Sequence, residues 1–200
     1  FSEAVDRALS HLASDSVETK WTDASIPVDQ PRVDESHLRS DRQVVEVNRS
    51  AEDTFSVIRS IGGDNGWYYA DTLWRIRGFI DQQFGGVGLR RGRRHPTQIA
   101  IGDALDFWRV QAFEPDRRLL LRAEMRVWGR AWLEFKVEPI DENRCRLIQT
   151  ARYYPRGLWG QIYWYGVYPI HVFVFAGMAR AIGRRAEALP ASDNETVSTE

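Results

Sequence analysis

Two hundred residues with a formal net charge of -1 suffice for one domain with a sizeable core, and exclude a bulk electrostatic attraction to nucleic acid. All but two of the 27 basic residues are Arg, the exceptions being Lys20 and Lys136, a skew that reads as genome composition rather than function. The single cysteine, Cys145, excludes a disulfide framework and fits a reducing compartment, so the expected location is cytoplasmic.

The chain starts at Phe1 with no signal-peptide pattern and reads as a piece of something longer. Phe1, Val5, Ala8, Leu9 and Leu12 mark one face of a helix, and 17–22 suits a short strand. From 23 to 42 the chain is polar, with Pro27 and Pro31 and no periodicity, which predicts a linker. The domain is expected over 43–188, with a mobile acidic tail at 189–200.

Within the domain, 44–47 predicts a strand. Ser50 caps a helix, with Asp53 in the reciprocal position and Phe55, Ile58 and Ile61 on its apolar side. Gly62, Gly63, Asn65 and Gly66 end it. A second helix over 70–84 is expected to bury Leu73, Trp74, Ile76 and Ile80, and a Gly- and Arg-rich loop follows. Strands are predicted at 98–101, 104–113, 119–127, 130–138 and 145–154, with turn chemistry between the later ones, which is an antiparallel meander. A closing helix occupies 157–188, bent at Pro169.

Strand alternation assigns the faces. Leu121, Met125, Leu133, Phe135 and Leu147 point inward, opposite Arg122, Glu124, Glu134 and Lys136. Asp106, Trp108 and Val110 fall on the inner side as well. Asp106, Gln149 and Tyr153 are the polar exceptions in an otherwise apolar inward set, which makes them the place for a specific site.

The segment 157–179 contains no Asp, Glu, Lys or Arg and is rich in Trp and Tyr, from Trp159 through Tyr168. It is long enough to cross a bilayer, yet Gln161, Pro169, His171 and the tyrosines lower its hydropathy and favour a core helix. A helix apolar nearly all round has to be covered on more than one side. A sheet covers one. The surplus around Tyr165, Tyr168, Val172 and Phe175 has to meet a ligand, a partner or a membrane surface.

A strand, two helices, an antiparallel meander and one long final helix resemble the helix-grip fold of START lipid-transfer domains and polyketide cyclases. The runs 102–110 (GDALDFWRV) and 129–135 (GRAWLEF), and Tyr163-Trp164-Tyr165 followed by Pro169, His171, Phe175 and Met178, are similar to an uncharacterised bacterial helix-grip domain. That domain lies C-terminal to NAD(P)-binding, epimerase-like Rossmann domains of the extended short-chain dehydrogenase/reductase type. The resemblance implies an α+β domain in which a curved antiparallel sheet grips the C-terminal helix around an apolar cavity. It also implies that residues 1–42 comprise the end of a Rossmann-type domain and a linker. No Gly-rich dinucleotide fingerprint occurs here, and neither Lys has a Tyr four positions before it, so the reductase Tyr-x-x-x-Lys pair is missing. NAD(P) is therefore expected only in an upstream domain, with no cofactor in this segment.

The expected ligand is a hydrophobic small molecule lined by Trp108, Leu121, Met125, Leu133, Phe135, Leu147 and Tyr153, and oriented by Asp106, Gln149, Tyr153 and His171. Two other readings stand beside it. One is a cyclase- or hydratase-type enzyme using Asp106 or His171 as acid or base; the other is a structural or dimerisation module. For His171 the plain alternative is a buried neutral imidazole, and for Asp106 a buried ion pair with an Arg. Arg90, Arg91, Arg93 and Arg94 beside a Gly-rich stretch form either an anion site or a solvated loop. The four histidines are scattered, so no metal site is expected.

Overall fold

In the computed structural model the described residues are 37–83, 85, 86, 88, 92–125 and 128–190. The helix expected at 1–12, the strand at 17–22, most of the linker and the tail beyond 190 lie outside them. Chain order is β1 (Arg39–Val47), α1 (Ala51–Arg59), a 3-10 turn (Gly63–Asn65), α2 (Asp71–Gln83), β2 (Ala104–Leu105), β3 (Trp108–Glu114), β4 (Arg118–Ala123), β5 (Gly129–Asp141), β6 (Arg144–Pro155) and α3 (Gly157–Glu187). All strands pair antiparallel in the order β1-β6-β5-β4-β3-β2. Consecutive hairpins from β2 to β6 explain that order, and β1 closes the far edge against β6. The architecture is α+β, with α3 laid against β1, β6 and α1 in the helix-grip arrangement.

Local chemistry accounts for most of the elements. The Ser50 hydroxyl accepts the Asp53 N–H at 3.1 Å and caps α1, whose first turn is acidic and last turn basic, as the helix dipole favours. Alternation places Leu119, Leu121, Leu133, Phe135 and Leu147 in one fully buried cluster with Met178 and Ile182 of α3. On the opposite face Glu134, read as outward, is only 2% exposed. Arg118 (2.7 Å), Arg152 (2.8 Å) and Lys136 (3.8 Å) close over its carboxylate. Burial works to raise its pKa, but the hydrogen bonds from Arg118 and Arg152 outweigh it and hold the carboxyl below its usual range.

Three expectations are corrected. β1 begins at Arg39, because residues 39–42 gain backbone pairing with β6 despite their polar side chains. No strand forms at 98–101; Gly102 N donates to Val110 O, while the Asp103 carboxylate accepts the Ala100 N–H and turns the chain there. The strand expected at 104–113 breaks at Asp106, whose φ of 55° is left-handed and ends β2 after two residues. Alternation therefore does not run through 104–113, and residues 104–110 are buried on both faces.

α3 runs unbroken through Pro169, although that residue cannot donate to the Tyr165 carbonyl. Its start is set by Gly160. A Cβ there would overlap the Trp128 carbonyl and lie 3.0 Å from Pro155 Cα, backbone atoms that cannot swing aside. Gly160→Ala should therefore destabilise the domain by about 1–3 kcal/mol, lowering Tm by roughly 2–4 °C per kcal/mol in a thermal melt. A Tm equal to or above that of the wild type would show that the close approach of α3 to Trp128 and the end of β6 is not required.

Candidate functional site

A cavity of about 650 Å³ lies between α2 and α3. From α2 it takes Leu73, Trp74, Ile76, Arg77, Ile80 and Asp81; from α3 it takes Tyr163, Val167, Ile170, His171, Val174 and Phe175. Met125 and Trp128, from the β4–β5 connection, close one end. The α3 residues repeat at intervals of three and four, so a single helical face supplies that wall. The volume falls in the range of small-molecule sites.

The expected burial of α2 is corrected here. Trp74 is buried, but Leu73, Ile76 and Ile80 are exposed, the last two by about half, as is Ile170 on the opposite wall. Each such side chain, left about half in water, forgoes roughly 0.7–1.5 kcal/mol of burial. Several of them on facing walls make a surface that favours an apolar occupant. The surplus expected on α3 is divided. Tyr165 and Tyr168 are exposed and Val172 is half-buried, whereas Phe175 is buried and lines the cavity.

Of the residues expected to contact a ligand, Met125 and His171 line this cavity. Trp108, Leu121, Leu133, Phe135 and Leu147 are buried in the sheet–helix core instead. The gap expected between sheet and helix is filled by those side chains together with Met178 and Ile182, and the cavity lies between the two helices. Gln149 donates from Nε2 to the Phe175 carbonyl at 3.3 Å, joining the sheet to α3. Tyr153 stacks on Trp164 at 5.5 Å and donates its hydroxyl to the Trp128 carbonyl at 2.8 Å, so it acts on the cavity by positioning Trp128. Burial pushes the Tyr153 hydroxyl up to about 12.

Asp106 does not face the cavity. In the β2–β3 turn its Oδ2 accepts the indole N–H of Trp67 at 2.9 Å and the Gly63 N–H at 3.2 Å. Burial raises its pKa against the pull of those two hydrogen bonds. Its role is to pin the 62–67 loop, whose Trp67 packs against Trp74, Phe107 and Trp108.

The basic run is similarly committed where it is described. Arg93 donates to the carbonyls of Arg59 (2.9 Å), Ile61 and His95 (2.9 Å), tying down the end of α1. Arg94 forms a bidentate pair with Asp103 at 3.0 and 3.1 Å. These contacts correct the anion-site expectation for Arg93 and Arg94; Arg90 and Arg91 lie outside the described residues. Among the described residues of this stretch the glycines follow the C-terminus of α2 and open no helix, so they present no helix N-terminus to a dinucleotide's phosphates. Among the described residues no group of three His, Cys, Asp or Glu could hold a metal ion.

The polar groups at the cavity wall are few. His171 meets Trp164 and Phe175 edge-on, at 5.8 and 5.0 Å. Burial, reinforced by the nearby charge of Arg77, pushes its imidazole down to about 4, so it is neutral at physiological pH. Trp74 Nε1, Tyr163 Oη and His171 Nδ1 are buried without a hydrogen-bond partner among the described residues. Sequence reasoning missed α2 as a wall because it treated Leu73, Ile76 and Ile80 as core. The available signal was two helices whose apolar faces exceeded what one sheet could cover.

The state of His171 has a consequence for stability. The unfolded chain binds a proton at this residue near pH 6.5, the folded chain only near 4. Its contribution is therefore present above pH 6.5 and lost as the pH falls toward 4. In denaturant unfolding from pH 7.5 to 4, the wild type should lose more stability than His171→Phe, which keeps a ring between Trp164 and Phe175. Parallel profiles would show that His171 is not held neutral by burial.

Among solved structures, the chain is similar to norcoclaurine synthase from Thalictrum flavum, with 12% identity over 76% of this chain and 96% of that chain, at a TM-score of 0.47. It is also similar to the Zhui aromatase/cyclase from Streptomyces sp. R1128 (13% identity, 76% and 94% covered, TM-score 0.42). A START superfamily protein from Mycobacterium smegmatis shows 13% identity, with 76% and 99% covered and a TM-score of 0.45. Likeness at this distance transfers no activity. No curated protein matches the chain. Residues 34–178, more than half of the sequence, match the family described as "Protein of unknown function (DUF2867)", and the chain belongs to that family.

Proposed function

We propose that this domain binds a hydrophobic small molecule in the α2–α3 cavity, as an accessory to an NAD(P)-binding, oxidoreductase-like protein in the cytoplasm. The observation that carries the binding reading is the cavity of about 650 Å³ whose facing walls expose Leu73, Ile76, Ile80 and Ile170. The accessory role is supported by the resemblance of 102–110, 129–135 and 163–178 to a domain that follows a Rossmann-type domain, where the nicotinamide cofactor would be held. A cyclase- or hydratase-type reaction gains little from the geometry. Asp106 is engaged by Trp67 and Gly63 away from the cavity, and His171, held near 4, is a weak base at neutral pH.

A second reading concerns the other side of α3. Leu158, Trp159, Ile162, Tyr165 and Phe173 are all more than half exposed and lie outside the cavity. This face suits the upstream Rossmann-type domain or a second copy of the chain. The helix is also, by length and composition, apolar enough to cross a membrane, but from Val174 onward most of it is spent on the core.

Titration with the neutral fluorophore N-phenyl-1-naphthylamine tests the binding reading. The signal should saturate, and Val167→Trp, which fills the cavity, should weaken the affinity at least about tenfold with Tm retained. A non-saturating signal, or equal affinity in the variant, would remove the reading. For the second face, sedimentation should show a dimer that Trp159→Glu dissociates; a monomeric wild type would exclude the homodimer and leave the upstream domain as the partner.

A further inference from the structure

The polar groups around the cavity are almost all donors. Arg77, on α2, reaches the wall with a guanidinium that has no carboxylate partner among the described residues. Its contacts are a 3.2 Å approach of Nε to Met125 Sδ and a position 5.8 Å above the Tyr163 ring. A thioether is a weak acceptor, and the ring leaves the edge of the guanidinium fork available. The unpartnered wall atoms point the same way. Trp74 Nε1 can only donate, Tyr163 Oη carries a proton to give, and the neutral His171 has one ring N–H.

The acceptor that would complement Arg77 internally is Asp81, one turn further along α2. Asp81 is already engaged: its Oδ2 accepts the Gly88 N–H at 2.9 Å and so fastens the loop that leaves α2. The wall thus offers a cation and several donors whose nearest carboxylate, Asp81, is committed to the loop, set among aliphatic and aromatic side chains. In a low-dielectric pocket such an imbalance is best relieved by an ionised acceptor, and a guanidinium binds a carboxylate through two parallel hydrogen bonds.

Resting on the binding reading above, we propose that the ligand is an amphiphilic carboxylic acid whose carboxylate is held by Arg77 and whose apolar body lies between α2 and α3. The apolar body occupies the walls made by Ile76, Ile80, Val167 and Ile170, and the head sits toward Met125 and Tyr163, where Arg77 is anchored.

Competition against N-phenyl-1-naphthylamine at pH 7.5, with decanoic acid and decan-1-ol as competitors, reads the head-group preference directly. The wild type should bind decanoate at least about tenfold more tightly than decanol, as a charge-assisted hydrogen-bonding pair predicts. In Arg77→Met, and in Arg77→Gln should the first fail to fold, that ratio should fall to near one. Arg75→Met removes an exposed charge from the same helix outside the cavity and should keep the wild-type ratio. Equal affinities in the wild type, or a preference that survives loss of Arg77, would overturn the carboxylate assignment while leaving apolar binding intact. Failure of the fluorophore itself to bind would overturn both.

Discussion

Burial of the C-terminal half of α3 against β1 and β6 is the contact on which the rest of the structure depends. The helix has 31 residues, a length of roughly 46 Å, and its buried positions concentrate from Val174 to Ala186. There Met178 and Ile182 complete the core begun by Leu121, Leu133, Phe135 and Leu147. Before Val174 the sheet covers the helix only locally, where Trp164 stacks on Tyr153 and Gly160 meets Pro155. The apolar character of the helix continues, with only Gly160 and Trp164 fully covered, and the cavity forms where α2 approaches without closing on it.

The junction that aims this N-terminal half is small. The Trp128 carbonyl accepts the Arg156 N–H at 2.9 Å and the Tyr153 hydroxyl at 2.8 Å, and Gly160 passes against it. The start of α3, the end of β6 and the start of β5 are thereby joined at one oxygen, next to a Trp that lines the cavity. Polar groups that looked like ligand contacts are used in this way throughout. Gln149 fixes α3 to the sheet, Asp106 fixes the aromatic loop, and Arg93 fixes the end of α1. A buried polar side chain that finds a backbone or indole partner contributes to the fold and is no longer available to a ligand.

What remains at the cavity is a short and one-sided polar set on an apolar ground. The neutral His171, the guanidinium of Arg77 and the Trp74 and Tyr163 donors favour recognition of a head group over proton transfer near neutral pH. The exposed outer face of α3 is a separate surface, with its own requirement for cover.

The sequence by itself determined the helices α1 and α2, the β4–β6 meander with its closing helix, the Ser50 cap, the inward set on β4, β5 and β6, and the excess apolar surface of 157–179. These follow from local chemistry and from periods of two and 3.6 residues, which need no knowledge of distant partners. The tertiary structure decided where the cavity lies and which polar groups are free to serve it. Alternation could not carry across Asp106, where a left-handed residue breaks the strand. Nor could periodicity show that Leu73, Ile76 and Ile80 face α3 across a gap, because whether an apolar helix face is buried or open depends on how closely a second helix approaches, and that distance is set by packing between segments far apart in the chain.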